Sequence, residues 1–387
     1  MNILEEIQNC SVEWKELGEV CEIETGKLNA NESVEDGKYP FFTTAKEISR
    51  INSFRWNTEA LLIAGNANVG DVKYYSGKFE AYQRTYVLTN FSHNVKARFL
   101  LHIIKQGLKS YLENNTNKAA MSYIVISTLK SFPIPIPPLE IQEKIVQILD
   151  KMTEYVTELT SELTSRKKQY SFYRDKLLSF EDEVYQVEWK TLSEIAKVFG
   201  RGKSKHRPRN DARLYGGDIP FIQTGDIRGA GKWIENFSKT YSDFGLEQSK
   251  KWEKGTLCIT IAANIAETGL LGFDACFPDS IIGFVANPEF AITEYVYYYL
   301  NSIKDHLANK SYGSAQDNLN LAIFSSLKIP VPSLEIQSRI VEVLDNFDTI
   351  CNDLYIGLPK EIELRQKQYE YWRKMMFNFN KKGDSIL

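Results

Sequence analysis

The chain has 387 residues, a formal net charge of −3 and an apolar fraction of 43%. That length suits two or three domains with real cores, and the near-balance of charge excludes a wholesale polyanion binder while leaving room for local basic patches. Five scattered cysteines (Cys10, Cys21, Cys258, Cys276, Cys351) without a C-x-x-C pair, no apolar run near the roughly 20 residues of a membrane span, and an acidic start without a long apolar stretch point to free thiols in a cytoplasmic protein.

The first module, residues 13–132, reads as short strands and loops followed by an amphipathic helix over 99–113. Gly37-Lys38-Tyr39-Pro40-Phe41-Phe42 is a turn feeding a strand. Residues 60–64 form a buried strand, and 69–75 and 84–88 are further strands. Pro137 and Pro138 then open a helix, since proline suits a first turn and not an interior. Its apolar positions are Ile145, Leu149, Met152, Val156, Leu159, Leu163, Tyr170, Tyr173 and Leu177, with Arg166 the one charged slot. Steps of four and three make this a heptad seam, and residues 139–180 predict a helix about 60 Å long. Within it Thr157-Glu158-Leu159-Thr160 is followed by Ser161-Glu162-Leu163-Thr164, a tandem tetrapeptide.

The chain then repeats itself. Val12-Glu13-Trp14-Lys15 returns as Val187-Glu188-Trp189-Lys190, and Pro137-Pro138-Leu139-Glu140-Ile141-Gln142 as Pro332-Ser333-Leu334-Glu335-Ile336-Gln337. Gly217-Asp218-Ile219-Pro220-Phe221-Ile222 matches the first turn, 256–261 the buried strand and 294–303 the module helix, while Ala67-Asn68-Val69 pairs with Ala263-Asn264-Ile265. The second seam runs Ile340, Leu344, Phe347, Cys351, Leu354, Leu358, Ile362, Arg365, Tyr369, Trp372 and Met376. It carries one extra step of four at Gly357 and Pro359, a stutter that predicts a kink or break. The expected architecture is α+β: two globular modules, 13–132 and 188–327, each with a mixed or antiparallel sheet and each followed by a helical spacer, 133–182 and 328–379. The two spacers are expected to pair as an antiparallel coiled coil about an internal pseudo-twofold repeat. The aromatic and basic tail residues Tyr170, Tyr173, Arg174, Tyr369, Trp372 and Arg373 close that pair or face a partner.

These doubled phrases, the Gly-x-x-Pro-Phe turns and the helix tails at 166–174 and 365–373 resemble the specificity subunit of a Type I restriction-modification system, over essentially all of residues 13–379. The resemblance implies two target-recognition domains, each reading half of a split sequence in double-stranded DNA, with the helices as a ruler for the gap. Methyltransferase subunits, two of them, and restriction subunits are the implied partners. S-adenosylmethionine, ATP and Mg are implied in those partners, with no cofactor in this chain. The tandem tetrapeptide resembles a spacer-length device of that family.

Catalytic signatures are missing from the sequence. His93, His102, His206 and His306 lack metal-ligand spacing, and there is neither a nucleophile elbow nor a P-loop. Asn287-Pro288-Glu289-Phe290 resembles an adenine-methyltransferase tetrapeptide but lacks its second proline, and reads as a loop. Basic side chains position phosphates, and Arg, Asn and Gln read base edges. The densest patch is Arg201, Lys203, Lys205, Arg207, Arg209 and Arg213, opposed by Asp211 and made a loop by Gly200, Gly202 and Pro208. Gln223, Thr224 and Arg228, then Lys310, Ser311, Gln316 and Asn318, complete the second module's candidates. The first module offers Lys46, Arg50, Arg55, Asn66, Asn68, Lys73, Gln83 and Arg84. Two other readings fit the same sequence: the recognition subunit of another restriction system whose partner fuses methyltransferase and nuclease, and a two-module protein-binding scaffold.

Overall fold

The computed structural model describes residues 3–115, 123–180, 187–262, 266–307 and 320–379. Contacts divide the chain into two units, one of Met1–Leu159 with Ile362–Leu387 and one of Thr160–Glu361. No described helix is long and apolar enough to cross a membrane, and all five cysteines are free.

In the first unit the strands are β1 (Glu13–Glu16), β2 (Glu22–Thr25), β3 (Tyr39–Phe42), β4 (Ser49–Ile51), β5 (Trp56–Ala64), β6 (Val72–Ala81), β7 (Thr85–Thr89) and β8 (Pro133–Ile136). Six form a sheet in the order β2-β7-β5-β6-β3-β4, antiparallel except for β3 beside β6, and β1 pairs with β8 in a separate ribbon. The predicted central strand is continuously buried over its last five residues, because β6 and β7 flank it and both faces are covered. Leu61 and Ile63 pack towards the module helix Ala97–Asn115, while Ala60 and Leu62 pack with Phe42, Phe79 and Val87.

The second unit holds β9 (Glu188–Thr191), β10 (Ala196–Arg201), β11 (Tyr215–Phe221), β12 (Trp233–Ile234), β13 (Lys239–Tyr241), β14 (Lys251–Trp252), β15 (Leu257–Thr260), β16 (Thr268–Leu271), β17 (Ala275–Cys276), β18 (Ile281–Ala286) and β19 (Lys328–Val331). They form sheets β10-β18-β15-β16-β12 and β13-β11-β17-β14, with β9 and β19 as the ribbon. Leu257 and Ile259 face the module helix Thr293–Ser302, and Cys258 faces the other way beside Trp252 and Phe277. Asn287-Pro288-Glu289-Phe290 is a turn, closed by the Phe290 amide donating to the Asn287 carbonyl at 3.0 Å.

The first spacer helix is unbroken over Leu139–Ser179. The second is two helices, Leu334–Asn352 and Leu358–Met376, with the break at the stutter. Gly357 is required there, because a Cβ would lie 2.5 Å from the Thr349 carbonyl oxygen. In the second unit the pairing is antiparallel: Arg166 and Lys167 lie near Cys351, while Tyr170 and Tyr173 meet Phe347 at ring distances of 6.1 and 5.8 Å. Each unit buries part of both spacers. Ile141, Ile145, Leu149, Tyr369 and Met376 share the first core, and Leu178, Ile340 and Leu344 the second.

The repeated phrase has a shared physical job. Gln142 and Gln337 are both fully buried. Gln142 Nε2 donates to the carbonyls of Asn94 (2.7 Å) and Pro137 (2.9 Å), and its oxygen accepts from the Lys96 amide (2.9 Å). Gln337 repeats this with Phe290 (2.9 Å), Pro332 (2.8 Å) and the Ile292 amide (2.9 Å). A single amide side chain thus satisfies one donor and two acceptors where a spacer helix starts beside a module helix.

One helical stretch further, Asp150 and Asp345 also hold equivalent places. Asp150 accepts from Arg98 (2.6 Å) and His102 (2.9 Å), whereas Asp345 accepts from Lys232 and Tyr298. The buried His102 ring places its other nitrogen 3.3 Å from the Tyr369 hydroxyl, which suits a neutral ring with the proton on Nε2. Burial lowers the His102 pKa, with Lys105 and Arg98 adding to the effect, and Asp150 only partly opposes it. Burial raises the Asp150 carboxyl, but the bonds from His102 and Arg98 outweigh it and hold it at about 2. Native His102 therefore binds its proton less readily than in the unfolded chain, so its contribution is full above the ordinary histidine range and falls as pH drops through it. The Asp150 contribution is kept above the ordinary carboxyl range and is lost only as pH falls towards about 2. Urea unfolding between about pH 7.5 and about pH 5 is expected to show this loss in the wild type and a flatter profile in His102→Gln, which keeps a donor to Asp150. Equal slopes would show that His102 carries no linked proton.

Candidate nucleic-acid interface

In the first unit three loops converge where the sheet curls on itself. The Phe42 carbonyl, at the end of β3, accepts from the Tyr82 amide and the Thr85 hydroxyl, both at 3.0 Å. The Gly65 amide, just after β5, donates to the Arg84 carbonyl at 2.8 Å. Asn68 Nδ2 donates to the Thr44 carbonyl and Lys73 Nζ to the Ala45 carbonyl, both at 2.7 Å. These bonds bring Lys46, Asn66, Asn68, Lys73, Gln83 and Arg84 to one loop cluster, on three segments far apart in sequence.

Their roles within it differ. Asn68 and Lys73 are used to pin the segment that carries Lys46, and Lys73 also pairs with Asp71 at 3.4 Å. Gln83 Nε2 donates to Asn29 Oδ1 at 3.0 Å. Lys46 and Arg84 are exposed, and among the described residues no ion pair engages either. Among the described residues the buried Asn66 Oδ1 has no hydrogen-bond partner, and its neighbour Ala67 stands at φ 56°, in the left-handed region. An unpaired buried oxygen and a strained alanine cost stability, of order 1–3 kcal/mol each, and mark a loop not shaped for stability alone.

Arg50 and Arg55 are placed otherwise. The Arg50 guanidinium braces the turn before β3, donating to the carbonyls of Gly37 (2.8 Å) and Lys38 (3.1 Å). Arg55 pairs with Glu24 at 3.2 Å and lies over the Trp56 ring at 4.6 Å. Both have folding tasks that composition cannot reveal.

In the second unit Gly200 and Arg201 are not in a loop as expected but end strand β10, paired with Gly283 and Ile282; the basic loop starts at Gly202 and crosses the ends of β17 and β18. The Gly202 amide donates to the Ile281 carbonyl (2.9 Å), the Lys205 amide to the Gln248 carbonyl (3.1 Å), and Ser249 Oγ to the Lys203 carbonyl (2.8 Å). Arg209 forms a two-bond pair with Asp279 at 2.8 and 3.0 Å, and Arg207 donates to the carbonyls of Ser204 (2.6 Å) and His206 (2.9 Å). Asp211 holds both Arg213 and His206, at 2.8 and 2.7 Å, and the Arg213 bonds keep its carboxyl well below the usual range. Asp211 therefore offsets Arg213. Arg201, Lys203 and Lys205 remain exposed, and among the described residues no ion pair engages them.

The Ile222 amide donates to the Cys276 carbonyl at 2.8 Å, which sets Gln223 and Thr224 beside the strand end that the basic loop crosses. Both are half-buried at the start of a short helix, Thr224–Arg228, which ends on the exposed Arg228. Lys310, Ser311, Gln316 and Asn318 lie outside the described residues, as do Ala263, Asn264 and Ile265. Lys250 was not singled out from the sequence. It stacks over Trp252 at 3.6 Å, and burial, then the charge of Lys203, lowers its pKa. Its signal, a Lys two residues before a strand Trp, has meaning only once the loop is folded over it.

A family model described as the Type I restriction modification DNA specificity domain matches residues 11–166 and 186–364, once for each copy of the repeat. The chain is 38% identical over 267 residues to the Type I restriction enzyme EcoR124I/EcoR124II specificity subunit of Escherichia coli, covering 65% of this chain and 64% of that one. It is 30% identical to a putative type I restriction enzyme specificity subunit of Haemophilus influenzae, covering 97% of each. Its fold is similar to the crystal structure of the Type-I restriction-modification system S subunit from M. genitalium, with a TM-score of 0.61 at 17% identity over 96% of this chain and 98% of that one. With both copies of its repeat matched and a relative aligned along nearly its whole length, this chain belongs to the family of Type I restriction modification DNA specificity proteins.

Proposed function

We propose that this chain is the DNA-reading, non-catalytic subunit of a Type I restriction-modification complex. Residues 13–132 and 188–327 act as two target-recognition domains, and 133–182 and 328–379 as the spacers that set the gap between half-sites. The observation that carries this reading is one frame used twice with different contents. The same buried glutamine starts each spacer helix, while the loop clusters above the two sheets differ in almost every polar side chain. A repeated frame gives two binding events in a set geometry, and different loops give two different base sequences.

Two copies of a methyltransferase subunit and the restriction subunits are the partners in this reading. They carry the S-adenosylmethionine, ATP and Mg chemistry, and the complex works in the cytoplasm. DNA contacts in the first domain come from the cluster around Lys46, Asn66 and Arg84, and in the second from the segment around Arg201, Lys203 and Lys205, with Gln223 and Thr224 as base readers. Because the net charge is −3, tight binding belongs to the assembled complex. The test is to co-express the chain with its neighbouring methyltransferase and map modified adenines across a genome. A split motif with a fixed gap is the expected result. A catalytically competent complex that leaves no motif would overturn the proposal.

A further inference from the structure

The two modules share one exposed cation in the same structural place. β2 and β10 are equivalent: Thr25 pairs with Tyr86 on β7, and Arg201 with Ile282 on β18. The next residue in each copy is a glycine, and the next a lysine, Gly26-Lys27 and Gly202-Lys203. The Gly26 amide donates to the Thr85 carbonyl (3.2 Å) and the Gly202 amide to the Ile281 carbonyl (2.9 Å), which are again equivalent positions. A Cβ on Gly26 would lie 1.9 Å from the Ala81 oxygen, and one on Gly202 would lie 2.2 Å from the Phe277 oxygen. Each glycine is needed because the chain passes against the backbone of the strand segment it crosses.

The close pass leaves the following lysine exposed at the loop cluster of its own unit. Lys27 precedes Leu28, whose carbonyl accepts from the Gln83 amide at 3.0 Å, beside Arg84. Lys203 lies next to Lys250, whose pKa burial and the Lys203 charge lower. Among the described residues neither lysine head group has a hydrogen bond or ion pair. Around them the two copies diverge. Thr25, Leu28, Asn29 and Arg84 in the first stand where Arg201, Ser204, Lys205 and Ser280 stand in the second.

We propose that Lys27 and Lys203 are equivalent DNA-phosphate contacts, the sequence-independent anchor of each half-site, while the divergent residues around them carry base identity. This rests on the DNA-reading function proposed above. The physical reason is that a phosphate looks the same at every base pair, so one side chain serves both domains, whereas a base reader must differ between them. The lysine held by a close-packed glycine is also pre-placed, which reduces the ordering cost of contact.

The experiment uses the full chain assembled with its methyltransferase subunits, and two duplexes, one with the mapped motif and one scrambled. Binding is measured across a salt series for wild type, Lys27→Gln, Lys203→Gln, the double variant and the two Lys→Arg variants. Each Lys→Gln change is expected to reduce the slope of log K against log salt by about 0.9, and the double change by about 1.8. Affinity should fall by the same factor on both duplexes, the methylated motif should stay the same, and Lys→Arg should restore the slope. An unchanged slope, an effect at one lysine alone, a loss confined to the cognate duplex, or an altered motif would each overturn the anchor assignment and leave the DNA-reading function standing. A wild-type complex that bound both duplexes alike would overturn that function instead.

Discussion

Deleting residues 157–160 is expected to shorten the gap between the two half-sites by about one to two base pairs and to leave both half-site sequences intact. Four residues shorten a helix by about 6 Å and turn it about 40° beyond a full turn, and base pairs rise about 3.4 Å each. The segment tolerates the change. Met152, Val156, Leu159, Leu163 and Arg166 form a half-buried stripe, and from Val156 to Arg166 every residue between these is exposed, in contrast to the fully buried Ile145 and Leu149 at the helix start. The Thr157 hydroxyl donates to the Thr153 carbonyl and the Thr164 hydroxyl to the Thr160 carbonyl, at 2.9 Å each, so both bonds stay within one turn of the same helix. A phase slip in a heptad is absorbed by local winding where packing is loose. Mapping methylated adenines in a strain carrying the deletion reads the gap directly. An unchanged gap would sink the ruler, and a changed half-site would show that a recognition domain had been disturbed.

Gln142→Ala is expected to destabilise the chain by about 3 kcal/mol, and Gln337→Ala by a similar amount, because each leaves one amide and two carbonyls buried without partners at about 1–3 kcal/mol per group, less what water recovers. Urea unfolding of the full chain measures it. Gln142→Glu separates shape from bonding. The carboxylate fills the same space and still accepts from the Lys96 amide, but it cannot donate to the Asn94 and Pro137 carbonyls. Its loss should approach that of alanine near neutral pH. A Glu variant as stable as wild type would show that packing, not hydrogen bonding, explains the repeated glutamine.

Much of the frame was readable because its signals are local. Short apolar runs placed the central strands near β5 and β15, Pro137 and Pro138 set the first spacer helix start, and the stutter at Gly357 and Pro359 predicted the break now seen between Asn352 and Leu358. The exposed cations Arg201, Lys203 and Lys205 were likewise legible, since glycine and proline around them exclude a helix. The doubled Gly-Lys step was also in plain sight, but a dipeptide has no meaning until the strands on either side are known to be equivalent.

The candidate interface was less legible because a side chain's occupation depends on partners distant in sequence. Arg50 and Arg55 carry the same charge as Lys46, yet one braces a turn and the other pairs with Glu24. Arg209 faces Asp279 only because β18 brings its preceding loop beside the basic segment.

By itself the sequence determined the duplication, the α+β class, the helical spacers and their break, because hydrophobic period, proline and glycine act over a few residues. The tertiary structure alone decided three things: that both spacers contribute to each core, that Gln142 and Gln337 serve as three-way hydrogen-bond locks, and that the polar loops of each module converge. Each of these depends on burial and on bonds between residues tens to hundreds of positions apart, where desolvation makes every unpaired group costly and so selects one arrangement.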